Sequence, residues 1–231
     1  MKKIVFLFLF SPFLILGQTD FVKGEKLFKG GNYEEALPFL ENYLKSSPNH
    51  LRTLEYLGDI AAYKKEWVKS ITYYNRLKKL KPAEANYYYK YGGALAMKSQ
   101  GVSKLKALGM IGEIRSSFEK AIALNPKHIE ARWALIELNL QLPGIVGGSE
   151  AEAIKYSSEL REISPVDGYL SRGHIEEYFD RNAEAEEQYK RAILIGRSKV
   201  CYQTLADFYK NKMKQPEKAN KVWEEYKNKN K

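Results

Sequence analysis

Residues 51–82 read LRTLEYLGDIAAYKKEWVKSITYYNRLKKLKP, and this stretch decides the fold. Small and apolar residues recur three or four positions apart in its first half, which indicates one face of a helix. They are Leu54, Leu57, Gly58 and Ala61. The second half repeats that spacing before Pro82, with Trp67, Ser70, Tyr74 and Leu77. The stretch therefore predicts two consecutive helices that pack on each other.

The same order of small, aromatic and aliphatic residues returns along the chain, each time closed by a proline. The prolines are Pro48, Pro82, Pro126 and Pro165, and the first two lie 34 residues apart. A proline cannot donate the helical hydrogen bond and pushes the preceding residue out of the helical region, so each one ends a second helix. A period of this length is typical of stacked helix pairs.

These residues resemble the tetratricopeptide repeat (TPR) family, in its exported bacterial form. The first unit carries the family positions Gly24, Leu27, Gly31-Asn32-Tyr33, Ala36, Leu40, Tyr43 and Pro48. The resemblance implies an all-α fold, an α-solenoid of five to six stacked helix-turn-helix units. The expected units are about 18–50, 51–84, 85–128, 129–165, 166–197 and 198–231. Small residues such as Gly58 and Gly92 are expected to make room for Tyr74 and Phe118.

The first 17 residues predict export. Met1-Lys2-Lys3 is a short positive start, Ile4 to Leu16 is mostly apolar, and Gly17 precedes polar Gln18. This is the pattern of a cleaved secretory signal, and it is too short for a membrane span. We therefore expect a signal peptide over residues 1–17, a TPR solenoid over 18–231, and a periplasmic or extracellular location.

No catalytic, cofactor-binding or metal-binding constellation is expected, so the sequence predicts a protein that is not an enzyme. His50, His128 and His174 lie far apart, and their positions follow the repeat rather than a ligand spacing. Cys201 is the one cysteine, so it cannot form an intramolecular disulfide. We interpret it as a small apolar residue in the first helix of the last unit.

The resemblance implies a concave groove, lined mostly by first helices, that binds a peptide or helix of a partner protein. The family's groove positions fall on Glu25, Phe28, Arg52, Glu55, Asp59, Tyr63, Asn86, Tyr89, Met97 and Trp133. Tyr89 and Trp133 could equally be core residues. The subtype that captures acidic carboxyl termini is excluded, because Phe21 and Glu25 stand where it has lysine and asparagine, and Glu25 and Asp59 would repel a carboxylate. An envelope adaptor or scaffold is the leading functional hypothesis.

A second hypothesis rests on charge. The formal net charge is +10, and eight lysines follow Phe208. Such an end could associate with anionic lipid or polysaccharide as a peripheral protein, although solvated helix lysines would look the same. Nucleic acid is not an expected partner, membrane contact is at most peripheral, and the oligomeric state is left open.

Two local segments depart from the plain repeat. Residues 98–113 form an insertion whose apolar face is expected to pack on the stack or, alternatively, to lie on a membrane surface. The face consists of Val102, Leu105, Leu108, Ile111 and, just beyond the insertion, Ile114. In the loop from Leu142 to Ser149, Ser149 and Glu152 have capping-box spacing. Ile145 and Val146 are expected to fill a gap between helices or, alternatively, to face a partner.

Overall fold

The computed structural model describes the backbone of residues 13–229 and the side chains of residues 19–229. Within that range the chain forms twelve α-helices. They are α1 (Phe13–Lys29), α2 (Tyr33–Ser46), α3 (Leu51–Tyr63), α4 (Trp67–Leu80), α5 (Ala85–Gln100), α6 (Lys104–Leu124), α7 (Ile129–Gln141), α8 (Glu150–Ile163), α9 (Pro165–Tyr178), α10 (Asn182–Gly196), α11 (Lys199–Asp207) and α12 (Pro216–Lys229). A 3₁₀ turn (Gly144–Val146) precedes α8, and a π-helical turn (Phe208–Lys212) extends α11. The fold is all-α, an α-solenoid of helix-turn-helix repeats, as predicted.

The helices form two compact units, divided between Val102 and Ser103. Unit 1 contains α1–α5 and unit 2 contains α6–α12. Of the predicted signal, residues 1–12 lie outside the described residues, and the backbone of 13–17 belongs to α1. None of the described helices has the length and apolarity that crossing a membrane requires.

Unit 1 is held together by small residues that admit bulky ones. A methyl group on Gly58 of α3 would come within 2.6 Å of Tyr74 Cε1 on α4, so the ring needs the glycine. Ser70 Oγ donates to the Gly58 carbonyl at 3.1 Å, which ties the same two helices together. Leu57 and Ile60 of α3 are almost fully buried in this unit's core. The predicted fit of Gly58 and Tyr74 is confirmed.

Unit 2 repeats that packing between α9 and α10. A methyl on Gly173 would come within 2.5 Å of Tyr189 Cε1, and Tyr189 is 1% exposed. Cys201 of α11 is fully buried in the same core, which confirms its interpretation as an apolar core residue.

Four of the turns between helices share one backbone geometry. Each contains a residue in the left-handed region: Gly31 (φ 78°), Lys65 (φ 58°), Asp180 (φ 58°) and Lys214 (φ 55°). In the first three, the next residue donates its N–H to the carbonyl five positions earlier, as in Glu66 to Ala61. In the fourth, Gln215 donates to Tyr209, one position further back. The π-helical turn supplies that extra residue.

Two of the three histidines begin helices. The ring nitrogen Nδ1 of His50 accepts from the Thr53 N–H at 3.3 Å, and that of His128 accepts from Ala131 at 3.2 Å. Each therefore caps a first helix at equivalent points of the repeat. Their regular spacing in the sequence reflects this capping role, which the sequence pattern alone did not reveal.

The predictions for the two irregular segments need correction. The insertion lengthens α6, but Leu105 is 81% exposed and Leu108 is 44% exposed, so the middle of its apolar face is not packed. Gly109 and Gly112 have open space around them, and only from Ile114 onward is α6 buried. Ile145 is 95% exposed and fills no gap. Ser149 does cap α8, because its side chain accepts from the Glu152 N–H at 3.2 Å.

Candidate functional site

The contact between α1 and α3 is organised by Glu25. Its carboxylate accepts a hydrogen bond from the Tyr56 hydroxyl at 2.8 Å and pairs with Arg52 at 3.1 Å and Lys29 at 3.2 Å. The Tyr56 hydrogen bond lowers the pKa of Glu25 most, against the opposing effect of burial, and the two cations lower it further. Burial and the bond to Glu25 raise the pKa of Tyr56 to about 12. Glu25 is therefore a charged acceptor whose Oε1 is shared by three donors.

Aromatic rings line the same junction. Phe28 stacks on Tyr56 with ring centroids 4.1 Å apart, and the ring centroids of Tyr33 and Phe28 are 5.2 Å apart. Tyr33 in turn meets Tyr63 edge-on at 4.8 Å. Tyr63 ends this row and is 69% exposed. The row therefore leads from a packed ring pair to an aromatic side chain that is open to solvent.

The contact between α3 and α5 is organised by Lys90. Its ammonium group lies 2.7 Å from Glu55 and 2.8 Å from Asp59, and Asp59 also accepts from the Tyr74 hydroxyl at 2.6 Å. Burial alone would lower the pKa of Lys90, but the two carboxylates outweigh it and raise the pKa. A charged lysine thus joins the two helices.

Nine of the ten predicted groove residues lie in unit 1. The helical spacing of Arg52, Glu55, Asp59 and Tyr63 places them on one face of α3, and Glu25 and Phe28 contact that face from α1. Asn86 and Met97 share one face of α5 with Lys90, because they lie four residues before it and seven after it. We call these α1, α3 and α5 residues the groove face. Arg52, Tyr63, Asn86 and Met97 are its exposed members, whereas Tyr89 is half-buried.

Trp133, the tenth predicted groove residue, lies on α7 in unit 2. Its ring packs against the core cluster of α9–α12, and its indole N–H donates to Asp167 at 3.0 Å. It is half-buried. The side chain thus holds α7 against α9, and its part in binding stays a prediction.

Sequence reasoning missed Tyr56 and Lys90, which hold the charged groups of the groove face. A signal for both exists in the repeat. Residues about one period apart lie side by side on successive first helices, and the pairs Glu25–Tyr56, Glu55–Lys90 and Trp133–Asp167 are separated by 31, 35 and 34 positions. Pairing polar residues at that separation would have found these contacts.

Metal chemistry finds no support in the part of the chain that the structure describes. No group of three or more His, Cys, Asp or Glu side chains there is arranged to hold a metal ion. The carboxylates of the groove face are already bound by tyrosine, arginine and lysine donors.

The repeated helix pairs, with the groove face on their first helices, are the features of an α-solenoid that acts as a protein–protein interaction module. Residues 21–97 match the family model of the tetratricopeptide repeat. Residues 21–97 therefore carry tetratricopeptide repeats. Residues 71–146 also match the model described as plant-specific mitochondrial import receptor subunit TOM20. No protein of the curated collection matches the chain in sequence.

Solved TPR structures show the same fold. A thermophilic TPR protein of Thermus thermophilus is 16% identical, with a TM-score of 0.62 over 80% of this chain and 93% of its own. A TPR protein of Parabacteroides merdae is 16% identical, with a TM-score of 0.64 over 91% and 78%. YrrB, described as a TPR protein with an unusual peptide-binding site, is 17% identical, with a TM-score of 0.54 over 79% and 87%. Identities this low show the fold alone.

Proposed function

We propose that the chain is a non-enzymatic adaptor whose groove face binds a peptide segment of a partner protein. The proposal rests on a difference between the acidic and the other side chains of that face. Its carboxylates are bound within the fold, while Arg52, Tyr63 and Met97 stand open to solvent. The description of YrrB as a peptide-binding TPR protein supports the same function.

The exposed members suit different parts of a peptide. Arg52 uses one guanidinium nitrogen on Glu25, and its side chain is 59% exposed, so its other N–H groups can donate to peptide carbonyls. Tyr63 and Met97 offer apolar surface, and aromatic and arginine side chains are frequent interface anchors. At Gly93, between Lys90 and Met97, nothing lies within 4 Å of a Cβ position, so a peptide can approach the α5 backbone.

A selection of random 12-residue peptides on the folded chain tests this function. The affinity of an enriched peptide is then measured for the parent chain, Arg52→Glu, Tyr63→Ala and the control Val68→Ala, which alters an exposed residue of α4. We expect a loss of about tenfold or more, or roughly 1.4 kcal/mol, for each groove-face change and no loss for the control. Equal binding by all four proteins would place the peptide elsewhere.

Export to the envelope is a separate part of the proposal, and residues 1–17 carry it. Their charged start, apolar run and small residue are the reason to expect a cleaved signal. Cell fractionation with mass measurement of the recovered chain tests it. A chain that begins near Gln18 in the extracytoplasmic fraction supports export, whereas an intact chain in the cytoplasm contradicts it.

A further inference from the structure

Unit 2 contains an apolar cleft that plays no part in the groove face. It lies between α10 and α12 over α11, with a volume of about 430 Å³. Its apolar lining includes Ile193, Leu205 and Val222, which are 8% exposed or less and belong to the unit's core. Leu194 stands at its edge and is 71% exposed. An exposed leucine beside a buried apolar floor offers surface to a further chain.

The cleft continues into a second hollow. That hollow has a volume of about 400 Å³, and both hollows are lined by Ile193 and Leu194. Along α12 the two extend from Lys218 to Lys229, which at 1.5 Å per residue is about 16 Å, or three turns of helix. Two adjoining hollows that share Ile193 and Leu194 suit apolar side chains from different turns of a helix better than one continuous acyl chain.

The rim of the cleft is basic. Lys190, Lys218 and Lys221 line the first hollow, and Arg197 and Lys229 line the second. Two carboxylates oppose these five cations: Glu225 pairs with Lys229 at 2.7 Å, and Glu186 pairs with Lys190. An excess of three positive charges remains around an apolar floor. An occupant of complementary chemistry is apolar on one side and acidic at its flanks.

We propose that this cleft binds an amphipathic helix of a partner protein, with apolar residues at i, i+3 or i+4 and i+7 and with Asp or Glu beside them. Leu194 packs between the apolar residues of the bound helix, and Lys221 faces its carboxylates. The cleft thereby gives the protein a second interaction surface that does not depend on the groove face. A chain with two such surfaces can hold two partners at once.

Differential selection tests the proposal with the full chain. The probe is a library of 16-residue peptides with leucine fixed at i, i+3, i+4 and i+7 and the other positions random, selected on the parent chain and on Leu194→Asp. Because Leu194 is exposed, its change leaves the fold intact. Val200→Asp, another exposed residue outside the cleft lining, is the matched control.

We expect peptides rich in Asp and Glu to be enriched on the parent chain and on Val200→Asp but not on Leu194→Asp. Lys221→Glu should then weaken an enriched peptide by tenfold or more, while Lys210→Glu, a change outside the cleft lining, should not. Equal enrichment on Leu194→Asp, or enrichment of basic peptides, would overturn the proposal. Self-association of the chain, or binding to phosphatidylglycerol vesicles, would also overturn the proposal if Leu194→Asp abolished it.

Discussion

The ring of Tyr74 fills the space that a side chain on Gly58 would occupy, since a methyl there would come within 2.6 Å of its Cε1. This packing also positions the groove face. With its ring held against α3, Tyr74 donates its hydroxyl to Asp59 at 2.6 Å, and Asp59 holds Lys90 of α5. The small-residue pattern that predicts the fold therefore also fixes the charges on which the proposed binding surface rests.

Replacing Gly58 with alanine should destabilise unit 1. Three atoms of the Tyr74 ring lie within 3.1 Å of the added methyl, so we expect the upper part of the range of about 1–3 kcal/mol that overpacking costs. That cost exceeds the roughly 1 kcal/mol that alanine gains in helix propensity. Gly93→Ala in α5 meets nothing within 4 Å and is the matched control, expected to be neutral or stabilising. Urea unfolding followed by circular dichroism measures both. Equal effects of the two changes would contradict the packing.

Replacing Lys90 with methionine should destabilise unit 1 by about 2 kcal/mol, because Glu55 and Asp59 lose their shared cation and face each other as unpaired anions. Neutralising both in the background Lys90→Met, with Glu55→Gln and Asp59→Asn, should recover most of that loss. Thermal unfolding of the single and the triple variant tests this. A triple variant less stable than the single one would show that the ion pairs are not the cause.

The turn geometry predicts a stabilising change. Lys65 has φ 58°, and a non-glycine residue in that region costs roughly 1–2 kcal/mol. Lys65→Gly should therefore raise the free energy of unfolding by about 0.5–1 kcal/mol, since glycine also loses more chain entropy. Lys79→Gly, in the last turn of α4, should instead lower the free energy of unfolding, by up to about 1 kcal/mol, because Lys79 has a helical backbone. A loss of stability in both would contradict the observed turn.

A histidine in unit 2 predicts a pH dependence. His174 Nε2 lies 2.6 Å from Glu137, and this ion-pair contact, with Glu177 nearby, raises the pKa of His174 although burial opposes it. A histidine whose pKa is raised on folding stabilises the fold when it is protonated. This contribution is fully present below the ordinary pKa of 6.5 and is lost as the pH rises through the pKa of His174 in the folded state. The free energy of unfolding should therefore fall more between pH 6 and about 9 in the parent chain than in His174→Gln. Parallel pH profiles of the free energy of unfolding in the two proteins would contradict this role of His174.

The fold was accessible from the sequence because one helix pair repeats. Gly58 and Tyr74 recur as Gly173 and Tyr189, each pair separated by 16 positions, so one unit read correctly gives the others. The insertion was misread because its apolar spacing predicts a helix but not a partner for it. Leu105 belongs to a helix, as expected, and yet is 81% exposed.

The site was accessible only in part. Helical spacing placed Arg52, Asp59 and Tyr63 on one face, but pattern alone does not distinguish an exposed side chain from one bound within the fold. The sequence does not distinguish Glu25 and Asp59 from carboxylates free to bind a ligand, whereas the structure shows that both accept hydrogen bonds from side chains of neighbouring helices. The cleft between α10 and α12 depends on the shape of three packed helices, which no local pattern encodes.

Site-specific photocrosslinking tests the binding surface most directly. A benzoyl-phenylalanine replaces Tyr63 on the groove face in one protein and Val68 on α4 in another, and both are illuminated in the cells that produce the chain. Both positions are exposed, at 69% and 63%, so the photoreactive groups differ chiefly in the face that they occupy. We expect a discrete protein adduct from position 63 that Arg52→Glu abolishes, and none from position 68. Adducts from position 68 alone, or an adduct at 63 that Arg52→Glu leaves unchanged, would contradict binding at the groove face.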